Sequence, residues 1–314
     1  MIIRKTLLAA GITGLLFATF TAQARITPEE AKKLNSVLTP LGAERAGNAE
    51  GTIPAWNPDF KPPASYKGPG NHYPDPYADE NPLFSITGKN YRQYKDKLTP
   101  GMQALFKNYR RSFRMDIYPS HRDGSYSDFI QNETRKNATR SELEVGGNGV
   151  TNAFGGAPFP IPKSGIEVIW NTMLARSFYS VKGKEKAVLI YRDGGKQIGE
   201  TSTISYAPYF DPSLTIEEFW GNSMPRLATL IQTLAPSREK GKSYVVQEFV
   251  NMRIDPRAAW TYSPGVRRVR RAPTVAYDSP QGMGNWRTAD ETYGFNGSPD
   301  RYNWKLIGKK EIYI

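Results

Sequence analysis

The sequence predicts a mainly β protein with covering helices, an α+β chain, on three observations. From Phe178 onward, β-branched and aromatic runs follow one another across short Gly, Pro and Asp turns without an intervening helical period. That order implies consecutive antiparallel strands, because parallel strands need a crossover, usually a helix, between them. Ahead of these runs, Thr99-Pro100 opens a stretch in which Met102, Leu105, Phe106 and Tyr109 recur at helical spacing.

Taken in chain order, the first element is a targeting segment. Arg4 and Lys5 precede the uncharged stretch Thr6 to Ala22, which runs into Ala22-Gln23-Ala24. A basic start, an apolar middle and an A-x-A ending define a secretory signal peptide over residues 1–24. Its removal takes the net charge from +12 to +10. The chain has no cysteine, so neither a lipidated N-terminal cysteine nor a disulfide is available. A periplasmic, non-lipidated protein is the expectation, and nucleic acid is excluded as a partner by that location. The basic excess then suits anionic headgroups, an acidic membrane protein or an acidic ligand, although scattered lysines also serve solubility.

Thr27-Pro28-Glu29-Glu30 carries the signature of a capping box and predicts a helix to about Leu38. From Gly42 to about Pro82 prolines, glycines and aromatics alternate without a period, as in an extended arm lying on the rest of the protein. Residues 25–82 therefore form an N-terminal helix and arm, and residues 83–314 the main domain. The second helix starts at Thr99. Val145 to Gly165 is a Gly/Pro loop, and Ile166 to Ala175 fits a short helix or a strand, with the helix favoured. Strands are then expected on both sides of Asp193-Gly194-Gly195, a hairpin signal, and in RLATLIQTLAP, KSYVVQEFVNMR, AAWTYS, VRRVRR and NWKLIGKKEIYI. The stop at Tyr313-Ile314 falls inside an apolar strand pattern and predicts an unfinished sheet, as in a fragment of a longer protein.

Motifs for enzymes mostly fail. His72 and His121 lie in polar stretches without partners at metal-ligand spacing, and no G-x-S-x-G elbow occurs. Gly146-Gly147-Asn148-Gly149 lacks the strand and helix that a dinucleotide or phosphate loop needs. No cofactor is implied. Among the carboxylates Asp123, Asp128, Glu142, Glu144 and Glu248, Glu248 stands out, since it interrupts the apolar face formed by Tyr244, Val246, Val250 and Met252. An arginine partner inside the sheet is favoured over catalysis. In AAWTYSPGVRRVRRAP, Trp260 and Tyr262 share a strand face, and Arg267, Arg268, Arg270 and Arg271 follow the turn. Such arginines are either a solvated edge or an anion-docking rim beside an aromatic pocket.

WTYSPGVRRVRRAP resembles the strand-turn-strand of the periplasmic lipoprotein-sorting proteins. GAERAGNAEGTIPAWNP, GGAPFPIPKSGIEVIWN and GFNGSPDRYNWKLIGKKEIYI resemble an uncharacterised Gram-negative periplasmic family, domain of unknown function 1329, distantly related to LolA and LolB. The resemblance implies a LolA/LolB-like curved antiparallel half-barrel, lidded by helices over an apolar cavity and incomplete at the C-terminus of this chain. It further implies work beside resistance-nodulation-division-type permeases and outer-membrane partners. The expected function is a non-enzymatic carrier or adaptor for a lipid or other hydrophobic molecule. Tyr244, Val246, Val250, Met252, Trp260 and Tyr262 are the cavity or core candidates, and Arg267, Arg268, Arg270 and Arg271 the docking candidates. The alternative is a cargo-free interaction adaptor that uses the arm and the basic strand. A lipid or glycan hydrolase is the third reading.

Overall fold

Thr27 and Glu30 form the predicted capping box, but the helix they open, α1 (Pro28–Ala31), makes a single turn. The expected continuation to Leu38 gives way to a fold-back at Asn35, whose φ of 68° lies in the left-handed region. Burial explains the early stop, because the turn lets Leu34 and Leu38 join Ile26 and Ala138 in a small apolar cluster. The computed structural model describes residues 26–68, 70–175, 178–272 and 278–314, so the predicted signal peptide lies outside the described residues. Among them no helix is long and apolar enough to cross a membrane.

The arm is fastened to the body at several points. Trp56 donates its indole N–H to the Gly124 carbonyl at 2.8 Å, and Arg122 donates to the carbonyls of Ala46, Pro54 and Glu44. Strands β1 (Phe84–Thr87) and β2 (Arg114–Ile117) pair antiparallel around α2 (Pro100–Asn108), whose cap is Thr99 as predicted. Ile86, Leu98, Phe106 and Ile117 make a second small core there. Of the predicted helical stripe, Phe106 and Met102 pack inward, while Leu105 and Tyr109 stay exposed.

The helix α3 (Asp128–Arg140) buries polar groups: Glu133, Thr134 and Asn137 sit inward with Ile130 and Ala138. Each buried polar group is bonded, as it must be. The Asn137 amide donates to the Phe154 carbonyl at 3.0 Å and accepts from its N–H at 3.1 Å, and Glu133 meets Arg140 at 2.6 Å. A short ladder of β3 (Glu142–Leu143) and β4 (Val150–Thr151) follows. Then comes α4 (Gly165–Met173), opened by a Ser164/Glu167 capping box, which settles the helix-or-strand alternative as a helix.

Six antiparallel strands form the main sheet in sequence order: β5 (Ser180–Ile190), β6 (Lys196–Tyr206), β7 (Leu227–Ala235), β8 (Ser243–Glu248), β9 (Ala258–Ser263) and β10 (Arg268–Arg271). The first hairpin turns where expected, with Gly194 at φ 85° and the Gly195 N–H bonded to Asp193 Oδ1 at 2.9 Å. One short helix, α5 (Ile216–Gly221), interrupts the meander, and a two-residue ladder, β11 (Pro280–Gln281) with β12 (Arg287–Thr288), follows it. The fold is thus mainly antiparallel β with a few helices, and the six strands form an open sheet rather than a closed barrel. NWKLIGKKEIYI, predicted as a strand, does not join it. Instead it runs without regular structure toward the small core at β1, where Tyr313 donates its N–H to the Lys97 carbonyl at 2.9 Å and packs its ring edge-on to Phe84 and Tyr94. Those aromatic contacts hold the segment away from the sheet.

The main core lies where α3, α4 and α5 meet one end of the sheet, with Phe154, Trp170, Tyr209, Phe219, Leu227 and Val250 at its centre. Glu248 closes β8 at this end. Its carboxylate meets Arg226 at 2.7 Å and Arg257 at 3.2 Å, and it accepts from the Asn296 amide at 2.6 Å. Arg226, itself buried, also donates to the Met173 carbonyl at 2.8 Å and to Asn296 Oδ1 at 2.6 Å. The partner expected for Glu248 is therefore a pair of arginines, one from the start of β7 and one from the approach to β9. Removing the carboxylate would strand two guanidinium groups in a dry site, at a cost of about 3–5 kcal/mol. Urea unfolding of Glu248→Ala should show that loss; a change below about 1 kcal/mol, the range of an exposed ion pair, would contradict this role.

Candidate functional site: the open face of the sheet

Strand register sorts the sheet residues onto two unlike faces, since residues directly opposite one another point the same way. The four buried strand residues, Ser205, Leu227, Glu248 and Ala259, all lie on one face, at the core end. That core-side face is otherwise rich in hydroxyls, with Thr201, Thr203, Thr229, Thr233 and Thr261; Ser205 and Thr229 are bonded through their hydroxyls at 3.1 Å.

The other face is open along its whole width. One row of opposed residues crosses all six strands: Lys182, Ile204, Leu230, Val245, Trp260 and Arg271. With strands about 4.8 Å apart, this row is about 24 Å long. Its four central members are apolar and its two ends are cationic. Ile204 keeps 43% and Leu230 39% of their surface accessible, and Val245 and Trp260 are half-buried. The neighbouring row places Tyr262 beside Val269, and Ile198 faces Val188 nearer the tip of the first hairpin, beyond the polar pairs Lys184–Ser202 and Lys186–Glu200. Scattered exposed apolar residues are ordinary, whereas a contiguous stripe of this kind marks a contact surface.

The sequence candidates do not form one cavity. Trp260 and Tyr262 share the open face, as predicted from their alternation. Tyr244 and Val246, opposite Thr261 and Ala259, fall on the core-side face. Val250 and Met252 lie beyond the end of β8, in the loop toward β9: Val250 is buried in the main core and Met252 packs against it. The expectation that these four share one apolar face fails because β8 ends at Glu248, where the ion pairs pull the chain out of the period-two pattern. Of the arginines, Arg267 occupies the turn with φ 49°, Arg268 and Arg270 project on the core-side face, and Arg271 on the open face. All four are exposed on the edge of the sheet. Lys182, Ile204, Leu230 and Val245 escaped sequence reasoning, because only strand register aligns residues from four separate runs.

Tyr206 stands on the same face at the core end and donates its hydroxyl to Asp211 at 2.8 Å. Burial, and then the bond to the Asp211 carboxylate, push its phenol up to about 12. Burial acts against the Asp211 charge, but bonds from the Ser213 hydroxyl and N–H and from Tyr206 hold its carboxyl below the usual range.

Two hollows lie elsewhere. A groove of about 710 Å³ runs between the arm at Thr39–Ala43 and Trp56 and the entry to α3 from Arg122 to Gln131. A hollow of about 160 Å³ between α5 and the loop after β8 is lined by Trp220, Met224 and Phe249. Neither is lined by the open face. His121 is taken up by a stack on Tyr77, ring centres 3.6 Å apart, and by Glu80 at 3.0 Å. Asn296, the asparagine of one N-x-[ST] triplet, is buried in the Glu248 network.

Comparison with known proteins places the chain. Residues 85–314 match the model of a protein family of unknown function, DUF1329, and the chain belongs to that family. It is 40% identical over 313 residues to Uncharacterized protein PA3922 of Pseudomonas aeruginosa strain PAO1, a match that spans 99% of this chain and 68% of the relative. The crystal structure of a DUF1329 family protein from Desulfovibrio piger is 21% identical, with a TM-score of 0.27, over 42% of this chain and half of that one.

The Tyr206–Asp211 pair yields a pH prediction. A phenol raised in the folded state adds stability that is complete below its ordinary value near 10 and is lost as pH climbs through about 12. The depressed Asp211 adds stability present above the ordinary carboxylate value and lost as pH falls through its folded value. Ultraviolet titration should resolve one tyrosinate forming near pH 12 that is missing in Tyr206→Phe and shifted down in Asp211→Asn; an unchanged curve in both variants would contradict the assignment.

Proposed function

We propose that this chain is a non-enzymatic periplasmic carrier that holds an amphipathic, anionic molecule on the open face of its sheet. The observation that carries the reading is the row across all six strands: four apolar side chains, Ile204, Leu230, Val245 and Trp260, between Lys182 and Arg271. An apolar body lying along the row would displace water from side chains that otherwise remain wet, at about 25 cal/mol for each Å² covered. Either cationic end would meet an acidic headgroup, and a guanidinium matches carboxylate or phosphate with two parallel bonds. On this reading the open face would serve as one wall of a LolA/LolB-like half-barrel. Arg267, Arg268, Arg270 and Arg271, exposed together on one edge, would dock the loaded protein on anionic lipid or on an acidic surface of an inner-membrane permease or outer-membrane partner. The first part of the arm is less suited to the cargo-free adaptor role, because Arg122 already holds the carbonyls of Glu44, Ala46 and Pro54.

A fluorescent fatty-acid probe tests the face directly. Leu230→Glu places a charge in the middle of the row at an exposed position, so it should weaken probe binding at least tenfold while moving folding stability by only about 0.5 kcal/mol. Unchanged probe affinity would overturn the reading. Replacing the four arginines with alanine should reduce partition onto vesicles with phosphatidylglycerol and leave the unfolding midpoint in place; a large loss of stability would remove the docking role.

A further inference from the structure

The long outer strand of the sheet carries a second interaction surface. β5 is the terminal strand of the ladder, eleven residues of which all but one are exposed. Edge strands of this length usually invite pairing and are guarded by charge. Here the guard has a direction. In the β5–β6 ladder the Tyr191 N–H donates to the Gly195 carbonyl at 2.9 Å and the Ala207 N–H to the Tyr179 carbonyl at 2.7 Å. Antiparallel ladders alternate bonded and non-bonded pairs, so every odd-numbered residue of β5 spends its N–H and C=O on β6. The even-numbered residues Lys182, Lys184, Lys186 and Val188 therefore direct theirs outward.

Three lysines thus occupy alternate positions on the side where the backbone is unspent. Lys186 is met by Glu200 at 2.9 Å, whereas Lys182 and Lys184 stand opposite Ile204 and Ser202. The odd positions between them are Gly183 and Glu185, neither of them basic.

We propose that this edge takes up an extended acidic segment of a partner polypeptide as a seventh strand of the sheet. Paired antiparallel, the incoming strand would exchange both backbone bonds with Lys182 and with Lys184, and its residues opposite them would share their face about 5 Å away. Acidic residues at alternate positions satisfy that face, and neutral ones suit the Gly183 and Glu185 side. A second copy of β5 is disfavoured, since it would bring lysine against lysine. Backbone pairing would supply affinity and the lysine row would select the partner, the division of labour in strand addition. Lys182 is also the cationic end of the open-face row, so the two surfaces share that side chain, whereas Lys184 lies outside the row.

A labelled synthetic decapeptide of alternating glutamate and threonine tests the edge by fluorescence anisotropy, with a lysine-threonine decapeptide as control. The wild-type chain should bind the first and not the second, with protection from hydrogen exchange confined to the even amides of β5. Lys184→Pro removes an outward N–H that β6 does not use, so it should weaken binding at least tenfold without altering the ladder. The K182E/K184E variant should exchange the preference, binding the basic peptide in place of the acidic one. The proposal is overturned if the wild type fails to bind the acidic peptide, if the proline variant binds it as well, or if the charge-reversed variant keeps the original preference.

Discussion

Glu248 ends its strand in a dry site, with Arg226 and Arg257 against its two oxygens and Asn296 donating to one of them. Three parts of the chain converge there: the start of β7, the approach to β9 and the loop before residue 300. Arg226 adds a fourth through the carbonyl of Met173 at the end of α4. A carboxylate so far from water is tolerable only with this full set of partners, which fixes where the end of the sheet must sit. The placement has a consequence for the rest of the molecule. Because the core-side face is anchored at Glu248, Leu227 and Ala259, the opposite face has no part in the core and stays available.

The exposed row is therefore a product of how the sheet is attached. A sheet with one packed face normally turns polar residues outward. Along one row it does not, with Ile204, Leu230, Val245 and Trp260 toward water while several threonines lie toward the core side. Exposed apolar surface of that extent is costly unless something covers it, and the lysine and arginine at the row's ends point to the kind of molecule that would. The basic edges belong to the same logic: β5 and β10 are the two sides on which the sheet can meet other molecules, and both carry cations at alternating positions.

Much of this was legible in the sequence. The antiparallel order followed from strand runs without helices between them, and the bounds of β9 coincide with AAWTYS because the run is flanked by Pro256-Arg257 and Pro264-Gly265. The arginine partnership of Glu248 was anticipated from the cost of a lone charge on an apolar face. What stayed hidden had physical causes. α3 buries Glu133, Thr134 and Asn137, so its inward face has no hydrophobic period to detect. The helix at Thr27 stopped after one turn because Leu34 gains more from burial than from helix. The open row depends on registry among all six strands, which no single run contains, and Tyr244 shares a period-two pattern with Val250 in the sequence because the departure of the chain at Glu248 leaves no local mark.

The proposed carrier role rests on the open face holding an amphipathic molecule. The most direct measurement is to purify the protein from the cells that make it without detergent, extract it with organic solvent and identify the extract by mass spectrometry. One anionic amphiphile in stoichiometric amount is expected, lost when Leu230 is replaced by glutamate. An extract empty of any such molecule, from a protein that also leaves fatty-acid probes in solution, would contradict it and leave the sheet as a surface for proteins alone.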